Sequence, residues 1–356
     1  MTFGRNDSPM TYRQHWTIAT TLHDLTEGIF GHIVLYMFEL LPYLDKAGIE
    51  PTWELHSRLY GSPPSFVVIP GIFDAVPTAD STPSSRHRRK SFLILRAWHR
   101  VALGNDWTYL NALWTKYFRV PPRVEAAADA LGLTRCTLGL HYRGTDKASA
   151  LWDTNFVAQT DFLTLVDDFI ARHPTVDGLF IATDEPSFIA AATLRFPGLP
   201  VINTGAAAFH KATGEAADPG FEKADHAVLD CVLLSRCTYV LNCSSALSAF
   251  AKVLNPKLQI QRVAASKMFD VMPYFPIAYI PCLTSSDPVC ASILERQLAG
   301  DWTHEPDKVA LYGATFRTRS ISVANRLYRL YRFARTRLKQ GLILGGWIRE
   351  SASLYR

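Results

Sequence analysis

The sequence predicts an α/β fold whose C-terminal half is built on a parallel sheet. Between residues 136 and 260, short apolar runs alternate with amphipathic helical stretches. This alternation is typical of βαβ units, in which consecutive strands lie parallel and helices cover the sheet. Polar residues follow several of these runs directly, and ligands of such sheets bind at the carboxyl ends of the strands. At 356 residues, the chain is long enough for two domains.

The elements of the C-terminal half are predicted one by one from the period of their apolar residues. The strands are expected at residues 136–142, 177–183, 199–203, 239–241 and 258–260. The helices are expected at residues 161–173, 186–196, 221–236 and 244–254.

The N-terminal half is predicted to be mostly helical, with a strand framework that the pattern leaves open. Its helices are expected at residues 28–46, 92–102, 107–117 and 123–131. Residues 1–20 are expected to be an irregular start, and residues 65–70 (SFVVIP) a short strand. Residues 77–90, rich in Pro, Ser and basic side chains, indicate a surface loop.

Composition and charge describe a globular protein with one strongly basic region. Apolar residues make up 48% of the chain, charged residues 19%, and the net charge is +5. From Arg317 to Lys339 there are eight basic residues and no acidic one. This segment has an apolar stripe, typical of a helix at a membrane surface or of a terminal helix packed across both domains. No nucleic-acid motif accompanies it, so nucleic acid is not an expected partner.

Cysteine spacing and the start of the chain bear on metal binding and location. The six cysteines form no CxxC pair, which favours reduced structural cysteines over a metal site. The first residues have no apolar signal-peptide core, and the apolar run at residues 28–44 is too short for a clear membrane span. We therefore expect a cytoplasmic protein, with the basic segment as a peripheral contact to the inner face of the membrane.

The polar residues after the predicted strands are of the kinds that bind a diphosphate. Arg143 follows the first strand, and its guanidinium can bind phosphate oxygens bidentately. Ser244 and Ser245 begin a helix, where unpaired backbone N–H groups and the helix dipole favour an anion. Two alternatives stay open: an ion pair between Arg143 and Asp146, and an ordinary helix cap by the serines.

Asp230 in the third predicted helix indicates a preference for guanine. A carboxylate can accept hydrogen bonds from both N1–H and the exocyclic N2–H of guanine, a donor pair that adenine and uracil lack. The alternative is an aspartate on the helix surface. The chain has no P-loop and no Gly-x-Gly-x-x-Gly after the first strand, which argues against a P-loop kinase or an NAD enzyme. Gly28 could form a tight turn that admits phosphate or sugar, although helix packing explains this glycine equally well.

Four pieces of the sequence carry a resemblance to a known family. They are residues 141–147 (HYRGTDK), residues 181–186 (IATDEP), Leu229-Asp230 and Ser244-Ser245. In order and spacing they resemble the C-terminal half of the α-1,6-fucosyltransferases, which include bacterial nodulation-factor enzymes and the N-glycan core enzymes of animals. Protein O-fucosyltransferases and α-1,2-fucosyltransferases are wider relatives that share a His-x-Arg motif. The resemblance covers about residues 135–262, and the N-terminal half matches only in general character.

The resemblance implies a GT-B-like enzyme with two Rossmann-like domains and the donor in the cleft between them. We accordingly expect an acceptor-side domain at residues 1–133, a donor-binding domain at 134–300 and a basic helical extension at 301–356. The implied reaction is the inverting, metal-independent transfer of fucose from GDP-fucose to a hydroxyl of a glycan or lipid-linked glycan. No cofactor is expected.

The resemblance also implies roles for single residues. Arg143 corresponds to the arginine that contacts the β-phosphate, His141 and Asp230 to the residues that bind guanine, and Ser245 to a serine on phosphate. A further group of residues is expected on the donor side: Gly28, Asp146, Lys147, Asp184 and Ser244.

The chain departs from the family pattern at two positions that bear on catalysis. Gly144 stands where the core enzymes have a second arginine, and Leu151 where some have a glutamate proposed as the base. An inverting transfer needs a carboxylate near the acceptor hydroxyl, and Asp153 or Glu27 are the candidates. Two alternatives therefore remain: a binding protein of the same fold without catalysis, or a transferase that uses another GDP-sugar.

Overall fold

The fold was obtained as a computed structural model, which describes about half of the chain. The described residues are 14–19, 29–30, 33, 41, 44–45, 48–57, 60–61, 66–76, 85–88, 107–144, 158–205, 220–243, 245–263 and 282–283.

The N-terminal part is built on a sheet of its own. The strands of this part are β1 (Gln14–Ala19), β2 (Ile49–His56), β3 (Val67–Ile69), β4 (Asp74–Ala75) and β5 (Ser85–Arg88). Among the described residues, four of them form one sheet in the order β3-β2-β1-β5. Strand β1 is parallel to both β2 and β5, whereas β3 is antiparallel to β2.

This sheet corrects the prediction of a mostly helical N-terminal half. Strand β1 lies in residues expected to be irregular, and β5 lies in the expected surface loop at residues 77–90. Strand β5 (SRHR) contains no apolar residue, so the apolar period on which the prediction depends is absent. Strand β2 contains Pro51 and yet lies between β1 and β3. Proline lacks a backbone N–H and is normally confined to edge strands, so its presence argued against a strand here.

The predicted helix at residues 28–46 is described only in part. Five buried apolar residues between β1 and β2 are helical there: Ile29, Phe30, Ile33, Leu41 and Leu44. The helix expected at residues 92–102 lies outside the described residues.

The rest of the chain alternates between helix and strand, as predicted. After β5 come α1 (Trp107–Tyr117), β6 (Phe118–Arg119), α2 (Pro122–Leu131), β7 (Thr137–Tyr142), α3 (Gln159–Arg172), β8 (Gly178–Thr183), α4 (Pro186–Arg195), β9 (Val201–Ile202), α5 (Gly220–Arg236), β10 (Tyr239–Asn242), α6 (Ala246–Leu254), β11 (Gln259–Val263) and β12 (Cys282–Leu283). The short strands β4 and β6 pair with each other. Each predicted strand and helix of the C-terminal half is therefore confirmed, with β9 shorter than expected.

The larger sheet reverses its strand order at one point. Its six described strands are all parallel and lie in the order β12-β11-β10-β7-β8-β9. Counted from β7, this is the 3-2-1-4-5-6 order of doubly wound dinucleotide-binding folds. The order reverses between β7 and β10, so the crevice in which such folds bind ligands lies at the carboxyl ends of these two strands.

Helices cover both faces of the larger sheet and create two cores. Helices α3 and α4 cover one face, where Leu140, Phe162 and Phe188 are fully buried. Helices α5 and α6 cover the other face, and the core there continues into α1, α2 and the N-terminal part. The separate domains expected at residues 1–133 and 134–300 stay a prediction.

Phe250 of α6 lies at the centre of the contact between the two parts of the chain. Its ring contacts three aromatic rings of the N-terminal part: Phe30, Phe73 and Trp114, with centroid distances of 5.7, 6.1 and 4.8 Å. Among the described helices, none is long and apolar enough to cross a membrane. The basic segment from Arg317 to Lys339 lies outside the described residues.

Candidate functional site

Three polar side chains form a buried row across the carboxyl ends of the central strands. His141 of β7 pairs with Asn242 of β10, which pairs in turn with Arg262 of β11. Their exposed fractions are 3%, 0% and 1%. Val240 and Ile260, two positions earlier in their strands, belong to the core on the α5 and α6 face, so the row lies on that face. The switch point of the sheet, where the strand order reverses between β7 and β10, is therefore lined by buried polar side chains.

His141 is held as a neutral imidazole. Burial, and secondarily the charge of Arg143, lowers its pKa to about 3. Within the described part of the chain, its buried Nδ1 has no hydrogen-bond partner. A neutral ring can donate or accept a hydrogen bond but adds no charge to the site. The contact of His141 with guanine stays a prediction.

Arg143 forms an ion pair across the ends of two neighbouring strands. Its Nε lies 2.9 Å from Oδ2 of Asp184, which follows β8 directly. The backbone N–H of Gly144 donates to the other carboxylate oxygen of Asp184 at 3.3 Å. Both side chains of the pair are largely shielded from solvent. Asp184, expected on the donor side, thus fixes the position of Arg143, for which Asp146 was the ion-pair partner considered from the sequence.

Gly144 packs against a carboxylate at this edge of the sheet. A Cβ atom on Gly144 would overlap the carboxylate of Glu185, the residue at which α4 begins. That carboxylate also accepts a hydrogen bond at 2.5 Å from Nε2 of Gln159 in α3. The Glu185 carboxylate therefore occupies the space that a side chain at residue 144 would fill. Glu185 was not among the predicted site residues, although it follows Asp184 directly.

Asp230 is buried within α5 rather than exposed on its surface. Its exposed fraction is 5%, and it accepts a hydrogen bond at 2.5 Å from Oγ1 of Thr204, just after β9. Burial raises the pKa of Asp230 to about 7, although the Thr204 hydrogen bond acts to lower it. The alternative of a surface aspartate is wrong. Thr204 was not predicted, because no motif marks it.

Ser245 caps helix α6 at the carboxyl end of β10. Its Oγ accepts a hydrogen bond at 3.4 Å from the backbone N–H of Leu247. Asn242 strengthens this corner, because its Nδ2 donates at 2.9 Å to both the Ser248 Oγ and the Cys243 carbonyl. The ordinary helix cap is thus present, and it places the start of α6 at the switch point of the sheet.

The remaining predicted site residues lie outside the described part of the chain. They are Glu27, Gly28, Asp146, Lys147, Asp153 and Ser244. Their roles stay predictions. Within the described residues, no group of three or more His, Cys, Asp and Glu side chains is arranged to hold a metal ion.

Comparison with solved structures finds fucosyltransferases. The chain is 14% identical to NodZ α-1,6-fucosyltransferase soaked with GDP-fucose, with a TM-score of 0.43, over 68% of this chain and 94% of that chain. It is 15% identical to fucosyltransferase NodZ from Bradyrhizobium, with a TM-score of 0.44, over 68% and 94% of the two chains. For POFUT1 in complex with GDP the identity is 9% and the TM-score 0.41, over 71% and 99%. No family model and no curated sequence matches the chain.

Proposed function

We propose that the protein is a glycosyltransferase that transfers fucose from GDP-fucose to a hydroxyl of a glycan acceptor. The transfer inverts the anomeric centre, needs no metal and uses the GT-B-like arrangement that the motifs imply. The proposal depends on the sequence pieces around Arg143, Asp184, Asp230 and Ser245. Three of these side chains follow β7, β8 and β10 at the carboxyl edge of one sheet, and Asp230 approaches the end of β9 from α5.

The burial of Asp230 is the observation that carries the proposal. A buried carboxylate is costly unless hydrogen bonds satisfy it, and within the described residues Thr204 is its hydrogen-bond donor. Guanine would add two N–H donors in the geometry that a carboxylate accepts. Adenine and uracil offer no such pair, so a guanine nucleotide is the ligand that this carboxylate selects.

Arg143 stabilises the diphosphate leaving group. In an inverting transfer the diphosphate gains negative charge as the bond to the sugar breaks. A guanidinium beside the β-phosphate stabilises that charge without a metal ion. The ion pair with Asp184 holds Arg143 in place before the donor binds, so little reorganisation is needed.

The base that activates the acceptor hydroxyl is assigned to Asp153 or Glu27. Leu151 stands at the position where some enzymes with this motif have a carboxylate proposed as the base. A chain without a base would still bind GDP-fucose, which is the alternative of a binding protein.

Nucleotide binding tests the proposal directly. We expect GDP to raise the thermal unfolding midpoint of the protein, whereas ADP and UDP leave it unchanged. Asp230→Asn should lose this preference, because an amide cannot accept hydrogen bonds at both of its positions. Asp167→Asn is the matched control, since Asp167 pairs with exposed Arg195 of α4. A protein that GDP does not stabilise would refute the proposal.

Donor turnover separates catalysis from binding. We expect slow hydrolysis of GDP-fucose, faster release of GDP with a glycan acceptor, and no loss of rate in EDTA. GDP stabilisation without hydrolysis or transfer would favour the binding protein. Faster turnover of GDP-mannose than of GDP-fucose would show that the chain uses another GDP-sugar.

A further inference from the structure

Glu185 is a carboxylate at the site that the roles described above leave unused. It is the cap residue that precedes Pro186 of α4, lies two residues after the end of β8 and is half-buried. Gln159, the first residue of α3, donates from Nε2 to Oε2 of Glu185 at 2.5 Å and to the Ser187 hydroxyl at 2.9 Å. Gln159 therefore holds the Glu185 carboxylate in place from the side of α3.

The other side of the Glu185 carboxylate faces the backbone of Gly144. A Cβ atom on Gly144 would overlap the carboxylate carbon and both of its oxygens. Since Gly144 follows Arg143 directly, the carboxylate lies beside the point at which the chain leaves β7. Arg143 already has Asp184 as its ion-pair partner. Glu185, the second carboxylate at this edge, is thus not needed as a counter-ion for Arg143.

We propose that Glu185 binds hydroxyl groups of the sugar of the donor and makes the site prefer a GDP-sugar to GDP. This inference rests on the proposed function, in which Arg143 binds the β-phosphate. A group next to Arg143 at the same sheet edge then lies beside the sugar that is joined to that phosphate. A carboxylate accepts hydrogen bonds from neighbouring hydroxyls, and its charge strengthens them. Within the described residues, Gln159 is the donor to this carboxylate, so acceptor capacity remains for a sugar.

A role as the general base fits the position of Glu185 less well. In an inverting transfer, the base and the acceptor lie on the face of the sugar ring opposite to the leaving group. In the proposed function Arg143 marks the phosphate side, and Glu185 packs against Gly144, the residue that follows Arg143. Its position therefore matches recognition of the donor sugar and leaves the base to another carboxylate.

Paired titrations of GDP and GDP-fucose test the inference by isothermal calorimetry. The informative quantity is the ratio of the two dissociation constants. We expect Glu185→Gln to weaken GDP-fucose about tenfold while GDP changes less than about twofold, because a charge-assisted hydrogen bond contributes more than a neutral one. Gly144→Ala should have the same effect, since the new methyl group displaces the carboxylate.

Glu125→Gln is the matched control for these variants. Glu125 forms an ion pair with Arg236 at the end of α5, and this pair lies away from the carboxyl ends of the strands. Its ratio of dissociation constants should equal that of the unaltered protein. Circular dichroism of each variant verifies folding, and Gln159→Leu offers a third route to loosening Glu185 without changing its charge.

Each outcome of the titrations has a defined meaning. Equal weakening of GDP and GDP-fucose in Glu185→Gln would overturn the inference, because the residue would then act through Arg143. An unchanged ratio in Glu185→Gln and Gly144→Ala would overturn it as well, since the carboxylate would only hold α3 to α4. If the unaltered protein binds no GDP, the proposed function fails and the inference fails with it.

Discussion

Asp184 determines where the guanidinium of Arg143 can be placed. The ion pair joins the ends of β7 and β8, and the same carboxylate accepts the N–H of Gly144. Arg143 and Gly144 are thereby both fixed to the end of the neighbouring strand. An arginine held in this way loses little conformational freedom when it meets a diphosphate, which is the condition for effective stabilisation of a transition state.

Removal of Arg143 should affect the chemical step more than nucleotide binding. We expect Arg143→Ala to lower kcat by about 10²–10³-fold, as for the loss of one preorganised group on a developing anion. Arg143→Lys should recover only part of this rate, because lysine cannot bind bidentately. Release of GDP from GDP-fucose measures the effect. Arg195→Ala, which removes an exposed ion pair of α4, is the control. Full activity of Arg143→Ala would contradict the phosphate contact.

The raised pKa of Asp230 makes nucleotide binding depend on pH. Burial raises this pKa from 3.8 to about 7, so the carboxylate is largely protonated at pH 6 and ionised at pH 8. Guanine needs both oxygens as acceptors and therefore favours the ionised form. Binding should strengthen as the pH rises through 7, by up to about tenfold between pH 6 and pH 8.

Calorimetric titration of GDP at several pH values measures this dependence. Asp230→Asn is the control, since it retains the titration of the phosphate and loses only that of the carboxylate. The pKa of His141, at about 3, places its titration outside this range. An equal pH dependence in the protein and in Asp230→Asn would show that Asp230 does not bind guanine.

At the scale of secondary structure, α6 is fixed at both of its ends. Ser245 and Asn242 hold its first turn at the end of β10. At its other end, Nδ2 of Asn111 in α1 donates to the carbonyls of Val253 and Leu254 at 2.9 and 3.1 Å. These carbonyls have no partner within the helix, so the asparagine serves as a cap supplied by another helix.

Loss of the Asn111 cap should lower stability measurably. We expect Asn111→Ala to reduce the free energy of unfolding by about 1–3 kcal/mol, because two part-buried carbonyls lose their donor. Urea unfolding followed by circular dichroism measures the change. Thr115→Ala, on the exposed side of the same helix, should alter stability by less than about 0.5 kcal/mol. Equal effects of the two substitutions would show that Asn111 does not cap α6.

At the scale of the whole molecule, one core joins the N-terminal part to the larger sheet. Phe250 contacts rings from three segments of the N-terminal part, and ion pairs of Arg123 and Arg236 tie α2 to α5. The packing is apolar and buried, so it accounts for more of the stability than the exposed ion pairs do.

A substitution in this shared core should destabilise the whole chain. We expect Phe250→Ala to cost about 3–5 kcal/mol and to leave a single unfolding transition. Tryptophan fluorescence averages over eight tryptophans, five of which, including the buried Trp53 and Trp114, lie in residues 1–133, while circular dichroism reports on all helices. The two signals should change together. Leu194→Ala, at a position 84% exposed, is the control. Separate transitions for the two signals would contradict a shared core.

The C-terminal sheet could be predicted from the sequence because its strands are buried on both faces. Such strands are continuous apolar runs, and amphipathic helices separate them. Strands β1, β2 and β5 lack this pattern: they include a buried histidine, a proline and a run of four polar residues. These strands are defined by their pairing with neighbouring strands rather than by an apolar period, and pairing between distant segments leaves no local pattern in the sequence.

The candidate site was predictable only where a residue belongs to a motif. Arg143, Asp230 and Ser245 were selected in this way. Thr204 and Glu185 were not, because their roles arise from contacts between elements that are distant in sequence. The burial of Asp230 could not be predicted from the sequence either, because it depends on how α5 packs across the sheet.

The two fixed ends of α6 have a mechanical consequence. A helix of nine residues is about 13 Å long and behaves as a short stiff rod. One end of this rod presents the N–H groups at the switch point, and the other is fastened to α1 through Asn111. Any displacement of α1 relative to the sheet is therefore transmitted along the rod to the Ser245 end. The helix that would meet the phosphates of the donor is, in this sense, anchored in the part of the chain expected to receive the acceptor.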